Sequence, residues 1–316
     1  MNRRVFGRTL AGAALLPMGG MGAHSLAAAQ RFPLGAGKSD PAGAGLPLPQ
    51  AGQTAEVPFK ISVMLWTVFG KLPFEQRLEN VAAAGYHAVE LVGEYSKWSE
   101  AEFRRMNAKK RSLGITFDAM VGGTDLADPR AREKFLSDVR NGLPTADKLE
   151  CPAMICLSGN GIPRMMREAQ HESIVEGLKR AAEIVQGKGI TLLLENIDPE
   201  ENPHYYLTSV AEGFKIIGEV NHPQVKFLYD FYHEQIAEGN LIEKLEKNID
   251  RVGLIHIADV PGRHEPGTGE INYPNIYKKL AALKYSHYVA MEFIPTGDPV
   301  ESLKRAREEA LSAARA

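Results

Sequence analysis

The fold class is decided by one stretch of sequence, Lys188-Gly189-Ile190-Thr191-Leu192-Leu193-Leu194-Glu195. Gly189 is a turn signal, and Ile190–Glu195 is a short, nearly continuous apolar run, which is typical of a parallel strand buried on both faces. The preceding segment, Met166–Gln186, is long and amphipathic, which predicts a helix. A helix, a turn and a buried strand in this order form part of a repeating α/β unit.

The same alternation continues on both sides of this stretch, from Phe59 to the end of the sequence. The predicted strands are Ile61–Thr67, His87–Val92, Ile115–Val121, Ala153–Ser158, Ile190–Glu195, Val225–Asp230, Val252–Ala258 and Tyr288–Phe293. Further helices are predicted over Phe74–Ala83, Ser99–Ser112, Leu207–Val220 and Pro299–Ala313. Strands that alternate with helices form a parallel sheet, and eight such units over about 255 residues predict a closed (β/α)8 TIM barrel.

An open, doubly wound sheet is the alternative arrangement of these elements. It would place a glycine-rich phosphate-binding loop after the first strand, whereas this chain has Thr67-Val68-Phe69-Gly70 there. The closed barrel is therefore the preferred prediction.

Composition argues against two classes of protein. The 316 residues include 37 Lys and Arg against 39 Asp and Glu, so the formal net charge is −2. Nucleic-acid phosphates select a broad positive field, which this balance does not provide, and we expect no nucleic-acid partner. No apolar run approaches the ~20 residues of a membrane span. The composition leaves the oligomeric state open, and it is compatible with an oligomer.

The first 58 residues predict an export signal and a tether. Residues 1–29 combine a cationic start, Asn2-Arg3-Arg4-Val5-Phe6-Gly7-Arg8, with a short apolar stretch and the small-residue site Ala27-Ala28-Ala29, as a signal peptide does. The paired arginines resemble a twin-arginine signal, and an ordinary secretory signal is the alternative. Residues 30–58 are rich in Gly, Pro and Ala and predict a flexible linker. The barrel is thus expected over 59–316, exported to the periplasm.

Four potential metal ligands lie at the ends of the last four predicted strands. They are Glu195, Asp230, His256 and Glu292. In parallel barrels the loops after the strands build the active face, so these side chains are expected to meet there. A single carboxylate in such a position marks the point where a strand reaches water, but four ligands in succession favour a shared site. Three carboxylates and one imidazole suit one divalent ion of the Mn2+, Mg2+ or Co2+ kind.

The most diagnostic segment lies between the last two strands. It contains Ile257-Ala258-Asp259-Val260-Pro261-Gly262-Arg263 and, after one residue, Glu265-Pro266-Gly267-Thr268-Gly269-Glu270-Ile271-Asn272-Tyr273. Together with Asp230–Gln235 and the block Glu195–Leu207, it resembles the hydroxypyruvate isomerase family, within the xylose isomerase-like barrel superfamily. The resemblance extends over essentially the whole sequence from Phe59 onward.

The resemblance implies roles for individual residues. The four strand-end residues would together hold one divalent ion, and Glu195 and Glu292 would also transfer protons. His233 and Arg263 would contact the substrate. One position departs from the pattern, because some hydroxypyruvate isomerases carry Gln where this chain has His256, whereas ketose epimerases of the superfamily carry His. The metal site is therefore better defined by the resemblance than the substrate is.

Interconversion of a hydroxy-ketone and a hydroxy-aldehyde requires a base that takes a proton from the carbon beside a carbonyl and an acid that returns it to the neighbouring carbon. The intermediate is a cis-enediolate, whose negative charge a divalent ion stabilises as a Lewis acid. Glu195 and Glu292 are suited to the two proton transfers. The planar fork of Arg263 pairs with a carboxylate such as that of hydroxypyruvate; the alternative is a loop-stabilising salt bridge, for instance to Glu265 or Glu270.

Other residues near the active face have two interpretations each. Glu90, near the end of the second strand, either contacts the substrate or orients other side chains. His204 either lines the pocket or is solvated, and His233 is either a substrate ligand or a surface loop histidine. Glu270 is a candidate to orient a metal ligand from outside the site. Trp66 either forms an apolar wall of the pocket or packs in the core.

The sequence thus predicts a metal-dependent isomerase that interconverts hydroxypyruvate and tartronate semialdehyde. A ketose 3-epimerase, or an enzyme that acts on oxidised 3-keto sugars, is the first alternative; His256 and an exported location favour it, and Arg263 disfavours it. A phosphodiester-cleaving endonuclease would need more histidines at the strand ends. A non-catalytic sugar-binding barrel would not need two converging glutamates. The expected partner is a small hydroxy-carbonyl compound or a sugar.

Overall fold

Eight parallel strands close into a barrel in chain order in the computed structural model, which describes residues 56–316. The strands are β1 (Lys60–Met64), β2 (Ala88–Leu91), β3 (Thr116–Val121), β4 (Ala153–Leu157), β5 (Thr191–Glu195), β6 (Val225–Asp230), β7 (Val252–Ile257) and β8 (Tyr288–Met291). The helices are α1 (Phe74–Ala83), α2 (Glu100–Ser112), α3 (Arg132–Leu149), α4 (Arg167–Val185), α5 (Val210–Val220), α6 (Phe231–Ala237), α7 (Leu241–Asn248), α8 (Tyr273–Ala282) and α9 (Pro299–Arg315). β1 pairs with β8 and closes the ring, with Lys60 opposite Tyr288. The predicted TIM barrel is confirmed.

Side chains alternate between the inside and the outside of the barrel along each strand. The inner apolar layer consists of Met64, Ala119, Ala153, Ile155, Leu193, Leu228, Leu254 and Ala290. The outward-facing residues, such as Leu192 and Leu194 of β5, belong to the larger core between strands and helices. The strands are therefore buried on both faces, which explains their nearly continuous apolar sequences.

β1 is shorter than the predicted strand Ile61–Thr67. It ends at Met64, and Leu65–Thr67 form a 3-10 turn. Two side chains bind carbonyl groups that a longer strand would have used: the Thr67 hydroxyl donates to Met64 O at 2.9 Å, and the Arg77 guanidinium donates to Leu65 O. In this turn Trp66 packs against the inner layer of the barrel.

α5 begins later than the predicted helix Leu207–Val220. Ser209 is its N-cap and accepts a hydrogen bond from the Glu212 backbone N–H at 3.4 Å. The Leu207 N–H donates to the Ser158 hydroxyl at 3.1 Å, so Leu207 belongs to the loop after β5 and not to the helix.

Residues 1–55 lie outside the described residues, and they include the predicted signal peptide and nearly all of the predicted linker. At the described start, Val57 packs against the core and Phe59 is buried. Within 56–316, no helix is both long and apolar enough to cross a membrane.

Candidate active site

The four predicted ligands meet because each lies two residues beyond an inward-facing apolar residue of the barrel. The pairs are Leu193 and Glu195, Leu228 and Asp230, Leu254 and His256, and Ala290 and Glu292. A strand presents alternate side chains to the same face, so each ligand also faces inward, one layer nearer to the carboxyl end. Glu195 and Asp230 are the last residues of β5 and β6, His256 lies in β7, and Glu292 directly follows β8.

The ligand atoms of these four residues, which we call the ligand cluster, lie within 4.8 Å of one another. All four side chains are buried. His256 Nδ1 lies 2.9 Å from Glu292 Oε2 and 3.2 Å from Glu195 Oε1. Its distance to Asp230 Oδ2 is 3.7 Å. Three carboxylates therefore surround one imidazole nitrogen.

The ligand cluster fits a divalent ion. Two of its buried atoms, Asp230 Oδ2 and His256 Nδ1, have no hydrogen-bond partner among the described residues. An unsatisfied buried polar atom costs on the order of 1–3 kcal/mol, and a cation bound to both atoms would remove that cost. His256 Nε2 lies 3.0 Å from Glu90 Oε2, so Glu90 holds the proton on Nε2 and leaves the Nδ1 lone pair to an ion. The donor set suits Mn2+, Mg2+ or Co2+.

The electrostatics of the ligand cluster favour positive charge. Burial lowers the pKa of His256, but Glu292 and Glu90 outweigh burial and raise this pKa well above its usual value. The attraction that holds a proton here would equally hold a metal cation in its place.

The two glutamates of the ligand cluster have different surroundings. Burial raises the pKa of Glu195, against the opposing effect of His256. Burial acts in the same direction on Glu292, but His256 and Arg263 outweigh it and lower the pKa of Glu292. Glu292 also accepts a hydrogen bond from Trp66 Nε1 at 2.7 Å. Two carboxyl groups with pKa values moved apart are suited to separate acid and base roles.

His233 lies beside the ligand cluster and is buried, so its interpretation as a surface loop histidine is wrong. Its Nδ1 lies 2.5 Å from Asp198 Oδ2, and its Nε2 lies 2.9 Å from Arg263 Nη2. A guanidinium group can only donate, so Nε2 is the acceptor and Nδ1 carries the proton. The ring is thereby held with one nitrogen toward Arg263.

Arg263 contacts two aromatic rings beside the ligand cluster. Its guanidinium carbon is 4.7 Å from the Tyr232 ring centre and 5.5 Å from the Trp66 ring centre. Its terminal nitrogens lie 3.1 Å from Glu201 Oε2 and 3.3 Å from Glu292 Oε2. Cation–π contacts and ion pairs together hold the planar fork in place.

The loop between β7 and α8 positions Arg263. Buried Asp259 accepts hydrogen bonds at 2.9–3.0 Å from four backbone N–H groups of this loop, those of Val260, Gly267, Gly269 and Ile271. The Arg263 carbonyl accepts from the Ile294 N–H at 2.7 Å, which ties the loop to the segment after β8. Glu265 binds Thr296 at 2.8 Å, whereas Arg263 pairs with Glu201 of the loop after β5 at 3.1 Å, so a loop salt bridge is formed with a partner other than the two that were named.

The structure favours one of the two interpretations for Glu90 and for His204, and it corrects the expectation for Glu270. Glu90 is fully buried and contacts His256, which favours its role in orienting other side chains over substrate contact. His204 is exposed, which favours solvation over a place in the pocket. Glu270 is exposed and accepts from Gln235 at 3.0 Å, so it does not orient a member of the ligand cluster.

The sequence did not reveal the contacts of Asp198, Glu201 and the Trp66 indole N–H. Asp198 and Glu201 are two of several polar residues in the loop after β5, and acidic loop residues are usually solvated. Their roles depend on side chains from distant parts of the chain, His233 and Arg263. Asp259 is the one further residue that the sequence could have identified, because it precedes closely spaced glycines in the loop after β7.

The chain matches the xylose isomerase-like TIM barrel family over residues 78–314. It is 31% identical to the 2-oxo-tetronate isomerase of Pectobacterium atrosepticum, over 77% of this chain and 95% of that protein. It is also 31% identical to the hydroxypyruvate isomerase of Escherichia coli, over 75% and 93% of the two chains. A crystal structure of AP endonuclease, family 2, from Brucella melitensis has a TM-score of 0.72 and 28% identity, over 77% and 96%. These similarities confirm the family resemblance carried by residues 257–273.

Proposed function

Because the chain belongs to the xylose isomerase-like TIM barrel family and is an isomerase of the hydroxypyruvate isomerase type, we propose that it interconverts hydroxypyruvate and tartronate semialdehyde with the help of one divalent ion. Its substrate is then a small hydroxy-carbonyl acid. The reaction moves the carbonyl group between neighbouring carbons through a cis-enediolate.

One observation carries the proposal: the carboxylates of Glu195 and Glu292 converge on the same atom, His256 Nδ1. They come from β5 and from the end of β8, which are three strands apart around the ring. Isomerisation through an enediolate can use such a pair, because a proton leaves one carbon and must return to its neighbour.

The residues have distinct roles in this proposal. A divalent ion held by the ligand cluster would stabilise, as a Lewis acid, the negative charge that develops on the two oxygens of the enediolate. Glu195 and Glu292 take up and return the proton at the carbon atoms. Glu292 accepts hydrogen bonds from Trp66 and Arg263, which stabilise its charged form, whereas Glu195 is buried beside His256, so the two carboxyl groups are suited to different roles.

Arg263 and His233 recognise the rest of the substrate. The guanidinium of Arg263 is planar and contacts the rings of Tyr232 and Trp66, and its fork matches a substrate carboxylate. His233 Nε2 is an acceptor, so it can accept a hydrogen bond from a substrate hydroxyl instead of the one from Arg263 Nη2.

A second candidate is the epimerisation or isomerisation of a neutral keto sugar. The observation in its favour is the ion pair between Arg263 and Glu201, which lie 3.1 Å apart. A carboxylate beside the guanidinium repels a substrate carboxylate and accepts hydrogen bonds from sugar hydroxyls. His256 as a metal ligand is also the residue that ketose epimerases of the superfamily carry.

Two minor alternatives remain less well supported. Residues 56–316 contain two candidate groups of metal ligands, the ligand cluster and the group Asp198, Glu201 and His233. Each contains one histidine, which is fewer than an endonuclease with a metal cluster needs. A non-catalytic sugar-binding barrel does not account for two glutamates that share an imidazole nitrogen.

Substrate choice is tested by turnover of Mn2+-, Mg2+- and Co2+-reconstituted protein. The panel contains hydroxypyruvate, tartronate semialdehyde, 2-oxo-tetronate, ketohexoses and 3-keto sugars. We expect turnover of the small hydroxy-carbonyl acids. Turnover of neutral sugars alone would establish the second candidate instead.

The proton-transfer roles are tested with Glu195→Gln and Glu292→Gln. Each variant keeps an oxygen that can bind an ion but loses the group that accepts and returns a proton at neutral pH. At saturating metal we expect each to bind substrate but to lose at least about a hundredfold in kcat. Glu176→Gln, on the exposed side of α4, is the control and keeps full turnover. Robust turnover by both active-site variants with metal bound would refute the mechanism.

A further inference from the structure

Trp66 makes a hydrogen bond that could not be predicted from its position in an apolar stretch of the sequence. It lies in the 3-10 turn Leu65–Thr67 after β1, and its Nε1–H donates to Glu292 Oε1 at 2.7 Å across 226 positions of sequence. Its ring packs against the inner layer of the barrel. The indole N–H can only donate a hydrogen bond, and here its acceptor is the Glu292 carboxylate.

The two oxygens of Glu292 therefore have separate partners. Oε1 is bound by Trp66, whereas Oε2 lies 2.9 Å from His256 Nδ1 and 3.3 Å from Arg263 Nη2. Oε2 is the oxygen that faces the other members of the ligand cluster. A cation on Oε1 would meet the positive end of the indole N–H dipole.

We infer that Trp66 is a positioning residue that leaves Glu292 a single oxygen for the metal ion, Oε2, and thereby selects a small six-coordinate ion over Ca2+. The inference rests on the metal centre of the proposed function. Ca2+ takes six to eight oxygen ligands, often including a carboxylate bound through both oxygens, whereas Mg2+ requires a compact, near-octahedral set. A carboxylate that binds through a single oxygen suits Mg2+ and other ions that require a compact, near-octahedral set of ligands.

A purely structural role for Trp66 makes a different prediction. If the ring only filled space, Phe at this position would keep most of the packing and leave the preference between ions unchanged. The ratio of the Ca2+ to the Mn2+ dissociation constant is the diagnostic quantity. Both ions carry two charges, so any change in the overall negative potential of the site affects both and cancels in the ratio.

The experiment measures Mn2+ binding by the electron paramagnetic resonance signal of free Mn2+, with Ca2+ as the competitor. The proteins are the full chain, Trp66→Phe, Trp98→Phe and Asp230→Ala. Trp98 is the other tryptophan of the chain, and it packs against Phe74 and Phe103 at ring distances of 4.8 and 5.4 Å. It is therefore the matched control for the loss of an indole.

We expect the Ca2+/Mn2+ ratio to fall at least about tenfold in Trp66→Phe and to stay unchanged in Trp98→Phe, because a hydrogen bond to a charged group is typically worth about a factor of ten or more. In the Trp98→Phe protein, Trp66 is the remaining tryptophan. Its fluorescence should therefore change with Mn2+ at the midpoint that the resonance signal gives. Asp230→Ala should lose Mn2+ binding.

The outcomes separate the inference from the proposed function. Absence of Mn2+ binding by the unmodified chain would overturn the metal centre itself. The role of Trp66 would be overturned, and the metal centre kept, if the unmodified chain bound Mn2+ and the Ca2+/Mn2+ ratio of Trp66→Phe lay within twofold of the ratio of the unmodified chain. If Trp66→Phe does not fold, the same measurement is made with a benzothienyl-alanine at position 66, which keeps the bicyclic shape and lacks the N–H.

Discussion

Asp198 connects the loop after β5 to the substrate side of the site, because its two carboxylate oxygens have different partners. Oδ1 accepts the backbone N–H groups of Glu200 at 2.9 Å and Glu201 at 2.8 Å. Oδ2 faces His233 Nδ1 at 2.5 Å. Burial raises the pKa of Asp198, but the hydrogen bond from His233 and those from the backbone outweigh it and lower this pKa, so the carboxylate is ionised at neutral pH.

Asp198→Asn tests how much the position of one proton matters. Its oxygen is expected to stay on the two backbone N–H groups, so the amide N–H2 faces His233 Nδ1 and moves the ring proton to Nε2. That proton would then face Arg263, which also donates. We expect kcat/KM to fall at least about tenfold with Mn2+ affinity unchanged, and the nitrogen chemical shifts of His233 to report the other tautomer. An unchanged tautomer with unchanged kcat/KM would contradict this role.

At the scale of elements, the loop between β7 and α8 carries Arg263 and depends on one close backbone approach. A Cβ atom on Gly269 would lie 2.0 Å from the Val260 carbonyl oxygen and 2.7 Å from Asp259 Oδ1. Asp259 Oδ1 accepts the N–H groups of Val260 and Ile271, and the Val260 carbonyl oxygen accepts the Glu270 N–H at 2.8 Å, so both atoms hold the loop together. Glycine is therefore required at position 269 for a steric reason, independent of chemistry.

Gly269→Ala should displace the loop while leaving the ligand cluster in place, because all four ligands lie in or beside strands. We expect about 1–3 kcal/mol of lost stability and a kcat/KM that falls at least about tenfold, since a shift of about 1 Å in a positioning group is costly. Metal content should be unchanged. Gly297→Ala, where a Cβ meets no atom within 4 Å, is the control. Equal melting temperatures and kcat/KM for the two variants would show that the loop accommodates the added methyl group.

For the whole molecule, the structure sharpens the prediction of where the barrel begins. The described residues begin at Glu56, and Val57 already packs against the core. Phe59 precedes β1 and is 4% exposed, and its ring centre lies 6.2 Å from that of Tyr277. The predicted linker, residues 30–58, therefore ends close to a side chain that the core requires.

Two shortened chains test this boundary. A chain that begins at Thr54 should keep cooperative unfolding and full turnover. A chain that begins at Lys60 loses Phe59 and should be less stable by about 3–5 kcal/mol, the usual cost of deleting a buried aromatic side chain. Urea unfolding of both proteins measures the difference. Equal stability of the two chains would move the boundary into β1, and inactivity of the longer one would give residues before Thr54 a catalytic role. The export signal over residues 1–29 stays a prediction.

The sequence by itself determined the barrel and the placement of the ligand cluster. Both follow from local periodicity: buried parallel strands have continuous apolar sequences, and residues two apart on a strand face the same side. Glu195 after Leu193 and His256 after Leu254 are therefore directed inward by the same alternation that forms the core. The conclusion needs no knowledge of how the loops fold.

Only the tertiary structure decided which side chains surround that cluster. Trp66 with Glu292, Asp198 with His233 and Glu201 with Arg263 are separated by 226, 35 and 62 positions. They meet through loops and turns, where no fixed period relates sequence position to direction. Even in β1, the apolar sequence Leu65–Thr67 resembled a continued strand, and side chains of Thr67 and Arg77 converted it into the turn that holds Trp66. Periodicity directs the ligands inward, whereas the contacts that orient them depend on packing between distant segments.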